Sequence, residues 1–409
     1  MAGMAGAELS RTGRGQESAT HWSRRGGCTG EARPLIAQHV MGGHGGLNIL
    51  GQKSWNVYGQ EQRAKVRRDE EEFAASNEDP DAGAVPVGAS GPAPRPAGHV
   101  GELPTAHHVT LAGHEGPVLA ARFSRGGSYA LTCGKDRTFR LWNPFRGTLI
   151  KTYEGHAHEV RDVACAADNS RLATCGGDKQ VFLWDVSTGQ KIRRFRGHES
   201  AVNAVTFAAE DQVVITAGYD RSVRFFDCRS NSADPIQSVV EWSDAVTCVV
   251  THGGGGCRVT GGGVDGSVKT LDVRAGRIHS DDLGHPVTSL AVSGDGQCLL
   301  VGMLDGRMCL LDASDGSVMS EYRGHVSATA KVDARLTLGD GHVVAGSEDG
   351  RVVFWELVDA RVEVELEAHP GKVVCGLDYH PKRHAMVTSA TDGTAKVWLP
   401  EGVAGTSFD

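Results

Sequence analysis

Seven aspartates recur along the C-terminal three quarters of this chain, at Asp136, Asp178, Asp220, Asp265, Asp305, Asp349 and Asp392. A Gly-His pair precedes five of them, at His114, His156, His198, His285 and His325, and Ala368-His369 precedes a sixth. Imidazole and carboxylate groups held together can perform general acid–base chemistry. Repetition argues against that here, because a catalytic centre needs one such arrangement and not a ring of them. His156-x-His158 and His107-His108 raise the question of a metal. No Cys or carboxylate completes either set at metal-ligand spacing. The glycine runs Gly253–Gly256 and Gly261–Gly263 lack the Lys-Ser/Thr of a phosphate loop, and no helix follows to present its N-terminus, so they read as turns. The 10 cysteines form no C-x-x-C pair. Most of them, including Cys165, Cys298 and Cys309, sit in apolar strand-like runs and read as buried free thiols of a reducing compartment. No catalytic residue, cofactor or metal is expected, and the chain reads as non-enzymatic.

The elements that carry these residues follow from the spacing. Successive turn aspartates lie 42, 42, 45, 40, 44 and 43 residues apart. Six residues after each comes a large apolar side chain: Trp142, Trp184, Phe226, Leu271, Leu311, Trp355 and Trp398. Each unit reads as four short strands, with the Asp in the turn between the second and third. The 55 glycines suit many tight turns, where they supply positive φ without steric cost. Repeats of this length with Gly-His and Trp-Asp signatures resemble the WD-repeat family, whose units are blades of a β-propeller. The expected fold is therefore all-β, a seven-bladed WD-repeat propeller over residues 103–400. The last copy ends at Trp398 with only three strands made. His107–Leu111 is a strand without a blade, and we expect it to supply the missing outer strand and so remove an exposed sheet edge.

The family resemblance also implies a buried hydrogen-bonded network in each blade, built from the His, a Thr four residues before the Asp, the Asp and the Trp. The set is complete at His114, Thr132, Asp136, Trp142; at His156, Thr174, Asp178, Trp184; and at His369, Thr388, Asp392, Trp398. His198, Thr216 and Asp220 form a fourth set, with Phe226 in the Trp place. Repeats 4, 5 and 6 carry Gly261, Val301 and Ala345 at the Thr position, so their networks must be partial. Repeat 4 has Glu241-Trp242 where the Gly-His should be. Trp242 reads as a core substitute, the alternative being an exposed aromatic anchor.

Several stretches go beyond the generic repeat: Leu131–Tyr153, Gly176–His198, Phe226–Ser230 and Gly294–Leu304. Trp-Asn-Pro-x-Arg-Gly-Thr-Leu at Trp142–Leu149 is the most specific. They resemble the mitogen-activated protein kinase organizer family of WD-repeat scaffolds. That resemblance implies two associations, with kinase-cascade components and with the spliceosome. The long N-terminal region departs from that family. Within residues 41–76, Asn-Ile-Leu-x-x-Lys-Ser-Trp-x-Val from Asn48, followed by Val66-Arg-Arg-Asp-Glu, resembles the Cir_N module of splicing-associated factors and of a transcriptional corepressor. Gln60–Phe73 has helix-forming composition, but its cations precede its anions, against the helix dipole, so only a short helix is expected. Lys65–Arg68 reads as a solvated helix face, with a nuclear-localisation or RNA-contacting patch as the alternative. Because the module opens proteins of its family, Met41 is a candidate start. Residues 1–40 then read as a disordered extension; the alternative is a fusion of two neighbouring genes. Residues 77–102, rich in Pro, Gly and Ala, read as a flexible linker, and residues 401–409 as a tail.

Net charge is −8 over 409 residues, and all of it falls after residue 100. An acidic folded part argues against a direct nucleic-acid footprint, which needs clustered positive charge. No run reaches the ~18 apolar residues of a membrane span, and no apolar leader opens the chain. Protein partners are expected, in nucleus and cytoplasm, for a monomer. A propeller offers a shallow face of connecting loops. The contact positions expected there are those three and five residues after the His and the one before the turn Asp. They give Lys135, Glu159, Arg161, Asn203, Tyr219, Glu348 and Lys372 as polar or aromatic candidates. The leading function is a spliceosome-associated scaffold in pre-mRNA splicing; the alternative is a scaffold for mitogen-activated protein kinase cascade components.

Overall fold

The computed structural model describes residues 103–208, 210–252 and 258–402. The N-terminal extension, the Cir_N-like segment with its expected helix, the linker, the glycine run Gly253–Gly256 and most of the tail lie outside the described residues. Those described form seven four-stranded antiparallel sheets, and no helix occurs among them. The alternation of the sequence explains this. In the second strand of each blade almost every side chain is buried, as in Ala130–Gly134 and Val213–Gly218, because both sheet faces are covered by neighbouring blades. The outer strands, such as Thr148–Glu154 and Val362–Glu367, alternate toward solvent.

Ring closure is as expected. Ala106–Ala112 pairs antiparallel with Thr394–Leu399, with Ala106 opposite Leu399 and Ala112 opposite Thr394. The first described residue, Leu103, is buried among Tyr379, Met386 and Trp398 and anchors this strand. The core consists of apolar clusters at the junctions between adjacent blades. Phe139, Tyr153 and Trp184 pack between blades 1 and 2; Leu111, Trp142 and Val397 pack between blades 7 and 1. Closure therefore buries the last junction like the others.

The turn after the second strand places each Asp. The residue following it has a left-handed backbone in every blade, at Arg137, Lys179 and Arg221 in blades 1–3 and at glycine in blades 4–7, for example Gly350 with φ +95°. The Asp carboxylate accepts the amide N–H two residues on, as Asp136 does from Thr138 at 3.1 Å and Asp178 from Gln180 at 3.1 Å. The same bond recurs in the blades with glycine, as from Ser267 to Asp265 at 3.0 Å and from Arg351 to Asp349 at 3.1 Å.

A second regularity was not apparent in the repeat pattern. The pairing of inner and second strands slips by one residue at the same place in six blades, between Val118 and Ala120, Val160 and Asp162, Val202 and Ala204, Val246 and Cys248, Val287 and Ser289, and Val374 and Gly376. Each slip is a β-bulge that leaves one residue unpaired and re-aims its side chain. Blade 6 is the exception. Its inner strand is only Ala334–Leu336, and a loop over residues 326–333 replaces the missing part.

Candidate functional site

The His–Asp pairs are structural. In blade 2, His156 Nδ1 lies 2.9 Å from Asp178 Oδ2 and its Nε2 lies 2.9 Å from Thr174 Oγ1, which also accepts the Trp184 indole N–H at 2.8 Å. Blades 1 and 7 repeat this, with His114–Thr132 at 2.8 Å and Trp142–Thr132 at 2.8 Å, then His369–Thr388 at 3.0 Å and Trp398–Thr388 at 2.9 Å. An indole can only donate, so Thr Oγ1 accepts from it and its own proton is free to go to His Nε2, with the His Nδ1–H on the carboxylate. Burial lowers the basicity of His114, His198 and His369, and the facing Asp offsets this only in part. Burial raises Asp136, Asp178 and Asp392, but the imidazoles and turn amides outweigh it and hold each below the ordinary carboxylate range.

The incomplete repeats are compensated individually. In blade 3, Phe226 cannot donate, and Thr216 turns its hydroxyl toward the Arg224 carbonyl at 3.4 Å while Ser222 binds Asp220 at 2.7 Å. In blade 4, Trp242 is buried, in line with the core reading, and a Cβ on Gly261 would lie 2.8 Å from its ring. The loss of threonine there makes room for tryptophan. Asp265 is held by Ser243 and Ser267 instead. In blade 5, His285 is half exposed and 3.6 Å from Asp305, which binds Arg307. In blade 6, Trp355 donates to the Arg323 carbonyl at 2.8 Å, and burial pushes His325 down to about 4.

Five of the seven candidate contact residues meet at one place. Lys135, Glu159, Arg161, Asn203 and Tyr219 line a cavity of about 420 Å³ at the mouth of the central channel, on the face of the Gly-His loops. Arg161 and Asn203 were expected on loops, but they are the bulge residues of inner strands, and the bulge is what turns them to the mouth. Leu119, Thr247 and Cys375, from equivalent bulges, line it as well. A hydrogen-bonded chain crosses three blades: Arg161 donates to Glu159 at 2.9 Å and to Asn203 at 2.6 Å, and Asn203 donates to the Val246 carbonyl at 2.7 Å. Tyr219 is 59% exposed and stands free of this chain. The other two candidates differ. Glu348 accepts the amides of Ala328, Thr329 and Ala330 at 2.6, 2.6 and 2.8 Å, so its carboxylate shapes the blade 6 loop. Lys372 is exposed and does not line the mouth.

Repeat-based reasoning missed what lies deeper. Arg122 of blade 1 reaches across the channel to Asp333 of blade 6 at 2.6 Å and to Asp162 of blade 2 at 3.2 Å. Arg335 binds Asp378 at 2.9 Å, and Asp378 accepts the Phe123 amide at 2.8 Å. Burial opposes charge on Arg122, but Asp333, Asp162 and Asp378 outweigh it and raise its affinity for the proton. Burial likewise raises Asp333, yet Arg122, Arg335 and Lys331 bring it down to about 2. A second cavity of about 320 Å³ opens below this cluster at the opposite mouth. The only sequence signal was a charge inside each of four apolar strands, at Arg122, Asp162, Arg335 and Asp378.

The described cysteines are free. Cys133, Cys175, Cys248 and Cys309 are buried, whereas Cys165 and Cys298 are half-buried and not enclosed as expected. Burial pushes the Cys165 thiol up to about 12 and Cys375 to about 11, which leaves neither as a thiolate nucleophile at neutral pH. His107 Nε2 is bonded to Thr110 and His108 Nε2 to the Phe145 carbonyl. Among the described residues no three His, Cys, Asp or Glu side chains converge as metal ligands would.

Comparison with known proteins matches the geometry. The model of the WD domain, G-beta repeat, fits residues 106–143, 147–185, 189–227, 278–312 and 361–398. The unmatched stretches include repeat 4, which lacks the Gly-His and the threonine. WD repeat domain-containing protein 83 of Rattus norvegicus is 50% identical over 75% of this chain and 96% of its own length. The Homo sapiens protein of that name is 48% identical over 76% of this chain and 96% of its own length. A Dictyostelium discoideum homologue is 26% identical over 70% of this chain and 96% of its own length. With half of all residues shared across nearly the whole of a relative, this chain belongs to the WD-repeat family of WD repeat domain-containing protein 83.

Proposed function

We propose that the chain is a non-enzymatic scaffold that associates with the spliceosome and docks protein partners on the mouth of its propeller. The observation that carries the docking surface is the convergence of Lys135, Glu159, Arg161, Asn203 and Tyr219 on one cavity rim. Tyr and Arg are frequent anchors of protein interfaces, and the rim is carried by bulged inner strands of a closed ring of blades. The splicing association is supported by two unrelated segments that both resemble splicing-associated proteins, the propeller and Leu47–Phe73. The acidic propeller disfavours direct RNA contact, so recruitment runs through proteins, in nucleus and cytoplasm. The propeller's resemblance alone supports the alternative, a scaffold for mitogen-activated protein kinase cascade components.

The test is purification of the tagged full chain from nuclei after nuclease treatment. Spliceosomal proteins are expected in the eluate. A combined Arg161→Glu and Tyr219→Ala change should lower their recovery while leaving the melting temperature within a few degrees, since neither side chain belongs to a His–Thr–Asp–Trp set and the Arg161 bonds to Glu159 and Asn203 lie part-buried at the rim. Recovery of kinase-cascade proteins without any spliceosomal component, from intact nuclei at low salt, would overturn this reading in favour of the alternative.

A further inference from the structure

The charges at the channel mouth do not balance. Two acidic side chains line it, and both are engaged. Glu159 is bound by Arg161 at 2.9 Å and Asp333 by Arg122 at 2.6 Å. Two lysines remain. Lys135 sits exposed on the turn of blade 1. Lys331 projects from the blade 6 loop, where its ammonium donates to the Thr247 carbonyl at 3.2 Å; it adds to the field on Asp333 but, among the described residues, pairs with no carboxylate at ion-pair distance. Cys375 lines the same opening. A protein of net charge −8 thus presents, over a concave opening, two lysines without an ion-pair partner of their own, since the nearby Asp333 is already held by Arg122. Beside them the wall is apolar, formed by Leu119, Ala245, Val264 and Ala330, with the exposed ring of Tyr219 at its edge.

We propose that this mouth is a docking site for an acidic peptide segment of a partner protein, which places an Asp or Glu side chain between Lys135 and Lys331 and lays a neighbouring apolar residue against Tyr219 and the wall. The inference rests on the reading of this face as the docking surface and deepens it by naming the chemistry of the ligand. The apolar wall favours a peptide over a small anion, which has nothing to place against it. The two cations are ammonium groups, point charges that a carboxylate can bridge. Bidentate phosphate capture calls for a free guanidinium fork, and that of Arg161 is occupied by Glu159 and Asn203. The volume of about 420 Å³ is of the size that encloses a side chain or two. Glu348 is a positioning residue here: by gathering the amides of Ala328, Thr329 and Ala330 it fixes the loop from which Lys331 extends.

The test is selection of a random displayed peptide library on the immobilised full chain, followed by titration of the enriched peptides. Enriched sequences should carry Asp or Glu beside an apolar residue. The double change Lys135→Gln and Lys331→Gln should weaken them about tenfold, through loss of charge complementarity. Lys135→Arg with Lys331→Arg should keep most of the affinity, and both variants should melt with the parent protein. Glu348→Ala should also weaken binding although it touches no ligand. Enrichment of neutral or basic sequences, no enrichment over the input library, or equal affinity for the Gln variant would overturn the proposal. Full displacement by excess inorganic phosphate would also overturn it and assign the mouth to a small anion. The selection reads the chemistry of the mouth whichever cellular complex co-purifies, so its failure is separable from failure of the splicing reading.

Discussion

Asp178 is the acceptor at the end of a directed chain that runs from the Trp184 indole through Thr174 and His156. It also accepts the Ala157 amide at 2.9 Å and the Gln180 amide at 3.1 Å. Truncation to alanine orphans these donors at once, at about 1–3 kcal/mol for each one that water cannot reach. Asp305 has less to lose, because its histidine is half exposed at 3.6 Å and its arginine partner can turn to solvent. Urea unfolding should therefore show a clearly larger stability loss for Asp178→Ala than for Asp305→Ala, and equal losses would contradict the network. The effect has a sign in pH. Asp178 is held below its ordinary value in the folded state, so its contribution is present above pH ~4 and lost as the pH falls below that. The gap between wild type and Asp178→Ala should narrow in acid.

At the scale of elements, the closing strand decides whether a row of backbone groups is paired. Ala106–Ala112 covers the outer edge of Thr394–Leu399, and an uncovered edge is a template for aggregation. Removal of residues 1–102 should leave a soluble ring, since Leu103 and the strand after it remain. Removal of residues 1–113 should leave blade 7 with three strands and an open edge. Light scattering and thermal unfolding compare the two, and equal solubility and melting would refute the assignment. The bulge is the other decisive element. It brings residues such as Arg161 and Asn203 to the mouth, and its absence from blade 6 frees the loop that carries Lys331.

For the whole molecule, the channel is closed midway by charge. Arg122 ties blade 1 to blades 2 and 6, and Arg335 ties blade 6 to blade 7. Of these, the Arg122–Asp333 bond spans the point of closure, so it exists only when the ring is closed. Breaking a buried pair by removing one partner costs about 3–5 kcal/mol, because the other charge stays buried. Arg122→Met should fall toward the low end, since Arg335 and Lys331 still face Asp333. Adding Asp333→Asn should recover much of the loss. Denaturant titration of the two variants measures this, and no recovery in the double variant would argue against the clamp.

Blade number, strand order and ring closure were legible in the sequence because each blade is a local unit repeated seven times. A six-residue offset from Asp to Trp, or an unpaired strand at His107, needs no knowledge of distant neighbours. The burial of Trp242 was legible for the same reason, since Gly261 in the same repeat makes its space. The convergence of Lys135, Glu159, Arg161, Asn203 and Tyr219 followed from their equivalent positions in the repeat. Position in the repeat did not reveal that Glu348 faces its own loop, because that depends on the shortened inner strand of blade 6. Nor could it reveal the bond from Arg122 to Asp333, whose partners lie 211 residues apart. The repeat determines what each blade looks like alone. Only the closed ring decides which side chains of different blades meet at its axis, because that meeting depends on all seven rotations being summed.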